Sequence, residues 1–223
     1  FAPDEHREFH KLFIETWPDA GCSAVYARKY LWGFPDELGR HNNINWPFIA
    51  FMSVSEPLIS YDCDKESFIG LYNNDDKPRA MQDRTLAGRT GRFTDPIASL
   101  QVSVDLKPDE TKTVVFSLGV AEEGVEDPLA LIDRYTSVEN SERAFQDVKK
   151  FWARFIDTES VETPDEAFNI MTNYWLKYQS ISCRLWGKSA FYQVSAGYGF
   201  RDQLQDSQIF LISEPDYTKK QLL

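Results

Sequence analysis

The stretch "TPDEAFNIMTNYWLKYQSISCRL", residues 163–185, decides the fold class of the second half of the chain. Thr163 at the N-cap, Pro164 at the first helical position and Glu166 three residues after the threonine form a capping box, which predicts that a helix begins here. Apolar or small residues then recur at alternating spacings of three and four, at Phe168, Met171, Trp175, Tyr178, Ser182 and Leu185. Because the apolar stripe is wide, we expect this helix to pack against several others in a large all-helical domain.

Two shorter helical patterns precede this stretch. Asp127 followed by Pro128 predicts a helix that runs to Tyr135. Phe145, Val148, Trp152 and Phe155 recur at spacings of three, four and three and predict a second, amphipathic helix. We interpret these two helices as a linker between domains.

The first 120 residues have the pattern of a β domain. "LQVSVDL", residues 100–106, alternates strictly between apolar and polar residues, and a returning strand at 113–120 follows a turn at 107–110, so the sequence predicts a hairpin. Shorter strands are predicted at 12–15, 23–26, 48–53 and 58–61. Many short strands separated by turn residues are typical of a sandwich.

The predicted organisation is therefore multidomain, β followed by α. We expect a β-sandwich over residues 1–124, a helical linker over 125–162 and the start of a further helical domain over 163–223. The chain begins with Phe1 instead of methionine, and a helix capped at Ser213 meets the last residue, Leu223. These two features predict a piece of a longer protein.

Composition excludes several classes of function. The net charge of −11 argues against nucleic acid or an anionic membrane surface as a partner, because both require a basic face. No apolar run approaches the roughly 20 residues of a membrane span. The three cysteines, at 22, 63 and 183, are too few and too widely spaced for a disulfide framework or a zinc site, so we expect a reducing, cytoplasmic setting. "HREFH", residues 6–10, lacks the glutamate directly after the first histidine that a zinc protease needs, and we predict no metal site.

A polar cluster follows the long helix in "SAGYGFRDQLQDSQIF", residues 195–210. Asp202 and Asp206 are four residues apart and would share one face of a helix. Such a pair cannot flank a scissile bond as an acid and a base do, but it can accept hydrogen bonds from sugar hydroxyls. The alternative is a structural network of Arg201 with Asp202 or Asp206. "GYG" at 197–199 does not continue into a dinucleotide fingerprint, since Asp202 occupies the position of the third glycine. We interpret the glycines as giving backbone freedom to a loop that carries the polar side chains.

The run "YWLKYQSISCRLWGKSAFYQVSAGYGFRDQLQD", residues 174–206, strongly resembles the start of the catalytic domain of the family-94 glycoside phosphorylases. "DKESFIGLYNN" (64–74) and "DPIASLQVSVDLKPDETKTVVFSLGVAEE" (95–123) resemble the N-terminal sandwich of the same family. This resemblance implies a β-sandwich, a helical linker and an (α/α)6 barrel of which only the beginning is present, commonly in a homodimer. It also implies reversible, inverting phosphorolysis of β-glucosides, which yields α-glucose 1-phosphate.

The resemblance implies the following roles for individual residues. Asp202 corresponds to the aspartate that binds the donor glucose, and Arg201 and Asp206 correspond to neighbours that shape its subsite. Gln205 and Tyr198 complete the predicted substrate-binding set. Ala196 stands where cellobiose-specific members have an arginine, which favours a longer β-glucan as the substrate.

The resemblance implies no resident cofactor, because inorganic phosphate acts as the co-substrate. The general acid and the phosphate ligands are expected beyond Leu223, so the expected partners include the rest of the same polypeptide as well as the glucan oligosaccharide. This segment alone is therefore expected to be inactive. A hydrolase or transglycosylase on the same architecture, and a non-catalytic glucan-binding protein, are the alternatives.

Overall fold

A computed structural model describes residues 11–30, 37–38, 47–186 and 200–223, without the side chains at 184, 185, 200, 202 and 203. The predicted substrate-binding residue Tyr198 and the "HREFH" segment lie outside these residues. The chain divides into a unit that spans His6–Ala144 and a unit that contains Phe145–Leu223. Each unit is described separately below.

The first unit is built on a four-stranded antiparallel sheet. Its strands are β1 (Ile14–Asp19), β2 (Ala24–Lys29), β3 (Phe48–Val54) and β6 (Phe116–Glu122), in the spatial order β1-β2-β3-β6. A second ladder pairs β4 (Ser60–Asp64) with β5 (Pro96–Gln101). The two ladders form a sandwich-like arrangement, which confirms the predicted N-terminal sheet domain and the approximate positions of the first four strands.

One face of the four-stranded sheet packs against the helix α3 (Pro128–Thr136). Tyr26 and Phe51 lie side by side on adjacent strands and form a buried cluster with Ile132 of α3. Gly119 of β6 lies opposite Phe51, and a Cβ atom at this position would be 2.4 Å from the Phe51 ring. The ring therefore packs directly over the glycine backbone, and this position requires glycine.

The other face of the sheet is only partly covered. Thr16 and Val25 are buried on this face. Backbone hydrogen bonds in both directions also join Thr16 to Gly91 beside the strand β1. By contrast, the β6 side chains of Phe116, Leu118 and Val120 are 51–81% exposed.

The predicted hairpin of 100–106 with 113–120 is wrong. β5 ends at Gln101 and pairs with β4, whereas β6 begins at Phe116 and pairs with β3. Residues 102–115 between them contain no strand. The alternating pattern correctly indicated extended chain, but local alternation cannot identify the partner of a strand, which is set by contacts distant in sequence.

A polar network joins the edge strand β1 to its neighbours. The Tyr30 hydroxyl donates to Glu15 Oε2 at 2.6 Å, and Arg92 forms an ion pair with the same carboxylate at 3.0 Å. The hydrogen bonds from Tyr30 and Arg92 hold the pKa of Glu15 below its ordinary value of 4.5. The guanidinium of Arg92 also lies 4.5 Å from the centre of the Tyr30 ring.

The predicted helices before residue 160 are confirmed. Asp127 caps α3 by accepting a hydrogen bond from Leu129 N at 3.0 Å, with Pro128 as the first helical residue. The next helix, α4 (Val138–Ile156), carries the predicted apolar stripe. Short helices α1 (Lys65–Ile69) and α2 (Arg79–Asp83) lie between β4 and β5 in sequence.

The long helix, α5, runs over residues 166–186 and alternates between two helical registers. It consists of α-helix at Glu166–Ile170 and Leu176–Gln179 and of π-helix at Met171–Trp175 and Ser180–Trp186. The cap is not at Thr163, as the sequence predicted, but at Asp165, which accepts a hydrogen bond from Phe168 N at 3.1 Å. Thr163 instead donates to Asn169 Oδ1 at 2.8 Å. Threonine and aspartate both cap helices well, so the spacing alone could not choose between them.

Two further helices end the chain: α6 (Phe200–Ser207) and α7 (Pro215–Leu222). The residue that precedes α7 as its N-cap is Glu214, without a side-chain hydrogen bond, and not Ser213 as predicted. The second unit is therefore helical in its described residues, but a barrel is not observed.

Candidate functional site

The polar cluster of residues 201–206 lies on α6, which corrects the interpretation of this cluster as a loop. Positions 202 and 206 are separated by about one helical turn and share a helix face. Arg201 and Gln205 are exposed, and Asp206 is half-buried. The structure thus brings four of the five predicted substrate-binding residues onto one short helix.

The C-terminal end of α6 is anchored in the core of the second unit. Ser207 is completely buried, and its carbonyl oxygen accepts a hydrogen bond from the Thr218 hydroxyl of α7 at 2.6 Å. Phe210, three residues further, is 2% exposed and packs with Phe155 and Ile181. This anchor fixes the helix from which the polar residues project.

Helix α5 contributes Ile181 to the buried cluster that holds the end of α6. Ile181 has no exposed surface and lies in the π-helical segment Ser180–Trp186. A π-helical turn changes the direction in which side chains point along a helix, and such turns occur frequently at functional sites. The 3,4-spaced apolar pattern carries no signal for this change of register.

Lys177 holds the end of α4 in place. Its ammonium group donates hydrogen bonds to the carbonyl oxygens of Ile156, at 2.8 Å, and Glu159. Partial burial lowers the pKa of Lys177. A cation at a helix C-terminus satisfies carbonyl groups that have no partner within the helix, so we assign Lys177 a structural role.

Sequence reasoning missed one further feature, an open polar cavity in the first unit. It lies between α1, α2 and the segment that leads into β5, and Asp62, Tyr72 and Arg79 are among the residues that line it. The signal available in the sequence was the closely spaced "DCDKES" at 62–67, since buried carboxylates usually need several hydrogen-bond partners.

Among the described residues, no helix is long and apolar enough to cross a membrane.

Comparison with known proteins identifies the family. Residues 1–138 match the family described as "Glycosyl hydrolase 94, supersandwich domain", and residues 151–223 match "Glycosyl hydrolase 94 superfamily, catalytic domain". The chain is 34% identical to the cyclic beta-(1,2)-glucan synthase NdvB of Rhizobium meliloti over 94% of its own length. It is 28% identical to the N,N'-diacetylchitobiose phosphorylase of Vibrio proteolyticus over 74% of its length, and 25% identical to the 3-O-beta-D-glucopyranosyl-beta-D-glucuronide phosphorylase of Paenibacillus borealis over 75%.

The chain spans 7% of the glucan synthase and 20% and 21% of the two phosphorylases. The matched regions agree with the resemblance carried by residues 64–74, 95–123 and 174–206. With a sheet domain in the supersandwich region and helices in the catalytic-domain region, the chain belongs to glycosyl hydrolase family 94.

Proposed function

We propose that these residues are part of an inverting phosphorylase that cleaves a β-linked glucan with inorganic phosphate and releases α-glucose 1-phosphate. The observation that carries the proposal is the match of residues 151–223 to the catalytic domain of a family whose members here include phosphorylases of several β-glycosides. Phosphate is the co-substrate in this proposal, and no resident cofactor is required. The (α/α)6 barrel, a homodimer and a cytoplasmic location belong to the same proposal.

The proposed chemistry needs one acid from the protein and one nucleophile from solution. A carboxylic acid protonates the departing glycosidic oxygen while phosphate attacks the anomeric carbon from the opposite face, which inverts the configuration. Asp202 and Asp206 share one turn of α6, so they cannot lie on opposite sides of a sugar ring. The acid is therefore assigned to another part of the polypeptide, and α6 is assigned to binding.

Asp202 is proposed to hold the donor glucose. A carboxylate that accepts hydrogen bonds from two neighbouring hydroxyls contributes about 1.5–3 kcal/mol for each bond when water is excluded. Arg201 and Asp206 flank it in sequence and would shape the subsite, while Gln205 and Tyr198 would supply further hydrogen bonds. The anchored end of α6 supports this assignment, because binding groups on a fixed helix lose little entropy when the sugar binds.

The preferred linkage is proposed to be β-1,2. The support is the similarity to a β-(1,2)-glucan synthase, which extends over 94% of the chain, compared with 74% and 75% for the two phosphorylases. The same observation favours a second candidate function, in which these residues belong to a larger polypeptide that builds a β-1,2-glucan.

The test uses the complete polypeptide that contains these residues. Incubation with β-1,2-glucan oligosaccharides, in the presence and absence of phosphate, separates the candidate functions. Release of α-glucose 1-phosphate only with phosphate supports the phosphorylase. Release of free sugar without phosphate indicates a hydrolase or transglycosylase, and binding without turnover indicates a non-catalytic glucan-binding protein; either result overturns the proposal.

A further inference from the structure

The first unit contains a cavity of about 890 Å³ that the proposed reaction does not use. This volume lies within the range of about 300–1,000 Å³ that is typical of small-molecule sites. The cavity lies between α1, α2 and the chain from Thr85 to Asp95. Its charged lining residues are Asp62, Lys65, Glu66, Arg79, Asp83, Arg89 and Asp95.

The inner wall of the cavity is held by a buried carboxylate. Asp62 has no exposed surface, and its Oδ1 accepts a hydrogen bond from Asp64 N at 3.1 Å. Its Oδ2 accepts from the Ser67 hydroxyl at 2.9 Å and from Ala87 N at 3.3 Å. One side chain therefore ties β4, α1 and the segment after α2 together, so that the cavity is formed before any ligand enters.

The rim of the cavity is constrained by an unusual backbone conformation. Gly70 has φ +84°, and a Cβ atom there would be 2.7 Å from Arg79 Cβ, so α1 ends directly against α2. Two residues later, Tyr72 adopts φ +67° with 97% of its surface exposed. A bulky residue in the left-handed region is strained, so the surrounding structure must hold the loop in this conformation. Core packing does not explain an aromatic ring that is almost fully exposed.

The charges of the cavity favour a neutral, hydroxylated ligand. Its lining includes three cations and four carboxylates, so donors and acceptors are both present. Arg79 is paired with Asp83 at 3.0 Å, and Arg89 is paired with the nearly buried Asp64 at 3.6 Å. An anion would meet the carboxylates as well as the cations. The hydroxyl groups of a sugar can donate hydrogen bonds to the carboxylates and accept hydrogen bonds from the lysine and arginine side chains.

We infer that this cavity is a carbohydrate-binding site for a glucan oligosaccharide, in which the Tyr72 ring stacks on a pyranose. The flat apolar face of tyrosine suits the C–H face of a sugar ring, and the hydroxyl of tyrosine remains available to solvent. The polar groups of Arg79 and Asp83 bind the hydroxyls of the same sugar. The site belongs to the sheet unit. The choice of a glucan as the ligand rests on the proposed function, whereas the chemistry of the cavity assigns a neutral, hydroxylated ligand.

The test is saturation-transfer difference NMR of the complete polypeptide that contains these residues, with glucotrioses of β-1,2, β-1,3 and β-1,4 linkage. The Tyr72→Ala variant is expected to weaken binding about fivefold to tenfold, which corresponds to the loss of one aromatic contact. The matched control is Phe93→Ala. Phe93 is also aromatic, has φ +65° and is 76% exposed, but it does not line the cavity. Its removal should leave binding unchanged.

A second variant keeps the result interpretable if Tyr72→Ala alters the loop. Arg79→Gln removes a charge from a side chain that is 66% exposed, so it should fold normally and still weaken binding. The inference is overturned if no glucotriose binds, if Tyr72→Ala binds like the original chain, or if Phe93→Ala weakens binding equally. It is also overturned if inorganic phosphate displaces the sugar, or if Asp202→Ala in α6 abolishes all binding. Loss of catalysis in the complete polypeptide does not bear on it.

Discussion

Replacement of Phe210 by alanine should destabilise the helical unit and release the anchor of α6. Phe210 is 2% exposed, and its ring centre lies 6.2 Å from that of Phe155 and 6.0 Å from that of Tyr217. Truncation of a buried phenylalanine typically costs about 3–5 kcal/mol, because the transfer energy is lost and a cavity remains. Each aromatic pair accounts for about 0.5–1.5 kcal/mol beyond the buried area. Since folded domains are stable by only about 5–15 kcal/mol, this loss is a large fraction of the total.

The assay is urea denaturation combined with hydrogen exchange of peptides from residues 200–222. We expect a lower urea midpoint and faster exchange in α6 and α7. The matched control is Phe168→Ala on α5. Phe168 is 51% exposed, so its truncation should lower the urea midpoint much less. The reasoning is refuted if the two variants have the same midpoint, since Phe210 would then not anchor α6.

Three further perturbations test the sheet unit. Gly119→Ala should destabilise it by about 1–3 kcal/mol, because the new Cβ would meet the Phe51 ring at 2.4 Å. Alkylation followed by mass spectrometry should modify the exposed Cys183 first and Cys63 last, because burial raises the pKa of the Cys63 thiol to about 11. Glu15→Gln should make the free energy of unfolding fall less in acid. The Glu15 carboxylate, whose folded pKa is held below 4.5, stabilises the fold above about pH 4.5, and this contribution is lost as the pH falls through the folded pKa.

Each of these predictions has a contrary outcome. An unchanged urea midpoint for Gly119→Ala would mean that the Phe51 ring moves aside at no cost. Modification of Cys63 as fast as Cys183 would show that the β4–β5 ladder opens readily. Parallel acid-unfolding curves for the original chain and Glu15→Gln would show that the hydrogen bonds from Tyr30 and Arg92 contribute nothing to stability.

Several strands and helices were predicted from local patterns of sequence. Asp127 followed by Pro128 begins a helix as expected. This start was predictable because the capping carboxylate of Asp127 and the amide of Leu129 that donates to it are only two residues apart. The hairpin prediction failed because the patterns of residues 100–106 and 113–120 indicate extended chain without identifying the partner of either strand. Their separation into different ladders depends on contacts with β3 and β4, whose paired residues lie 32 or more positions away in the chain.

The residues of the candidate site could be named from the sequence, but the contacts that hold them in place could not. The four-residue spacing of Asp202 and Asp206 puts them on one face only if the segment is helical, and the glycines before it favoured a loop instead. The resemblance to family-94 phosphorylases carried the proposed role. The anchor of α6 was not predictable, because it depends on a hydrogen bond between Thr218 and Ser207 that periodicity does not reveal. The cavity around Asp62 was also missed, since it forms only when segments from residues 62 to 95 fold together.

The most direct test of the proposed function is phosphorolysis by the complete polypeptide with and without Asp202. Glucose 1-phosphate released from a β-1,2-glucan oligosaccharide is measured by NMR, which also reports its anomeric configuration. The account predicts the α-anomer, formed only with phosphate, and a rate lowered by about two orders of magnitude or more in Asp202→Ala, because two charge-assisted hydrogen bonds of about 1.5–3 kcal/mol each are lost. Full activity in a folded Asp202→Ala variant, or product formation without phosphate, would contradict it.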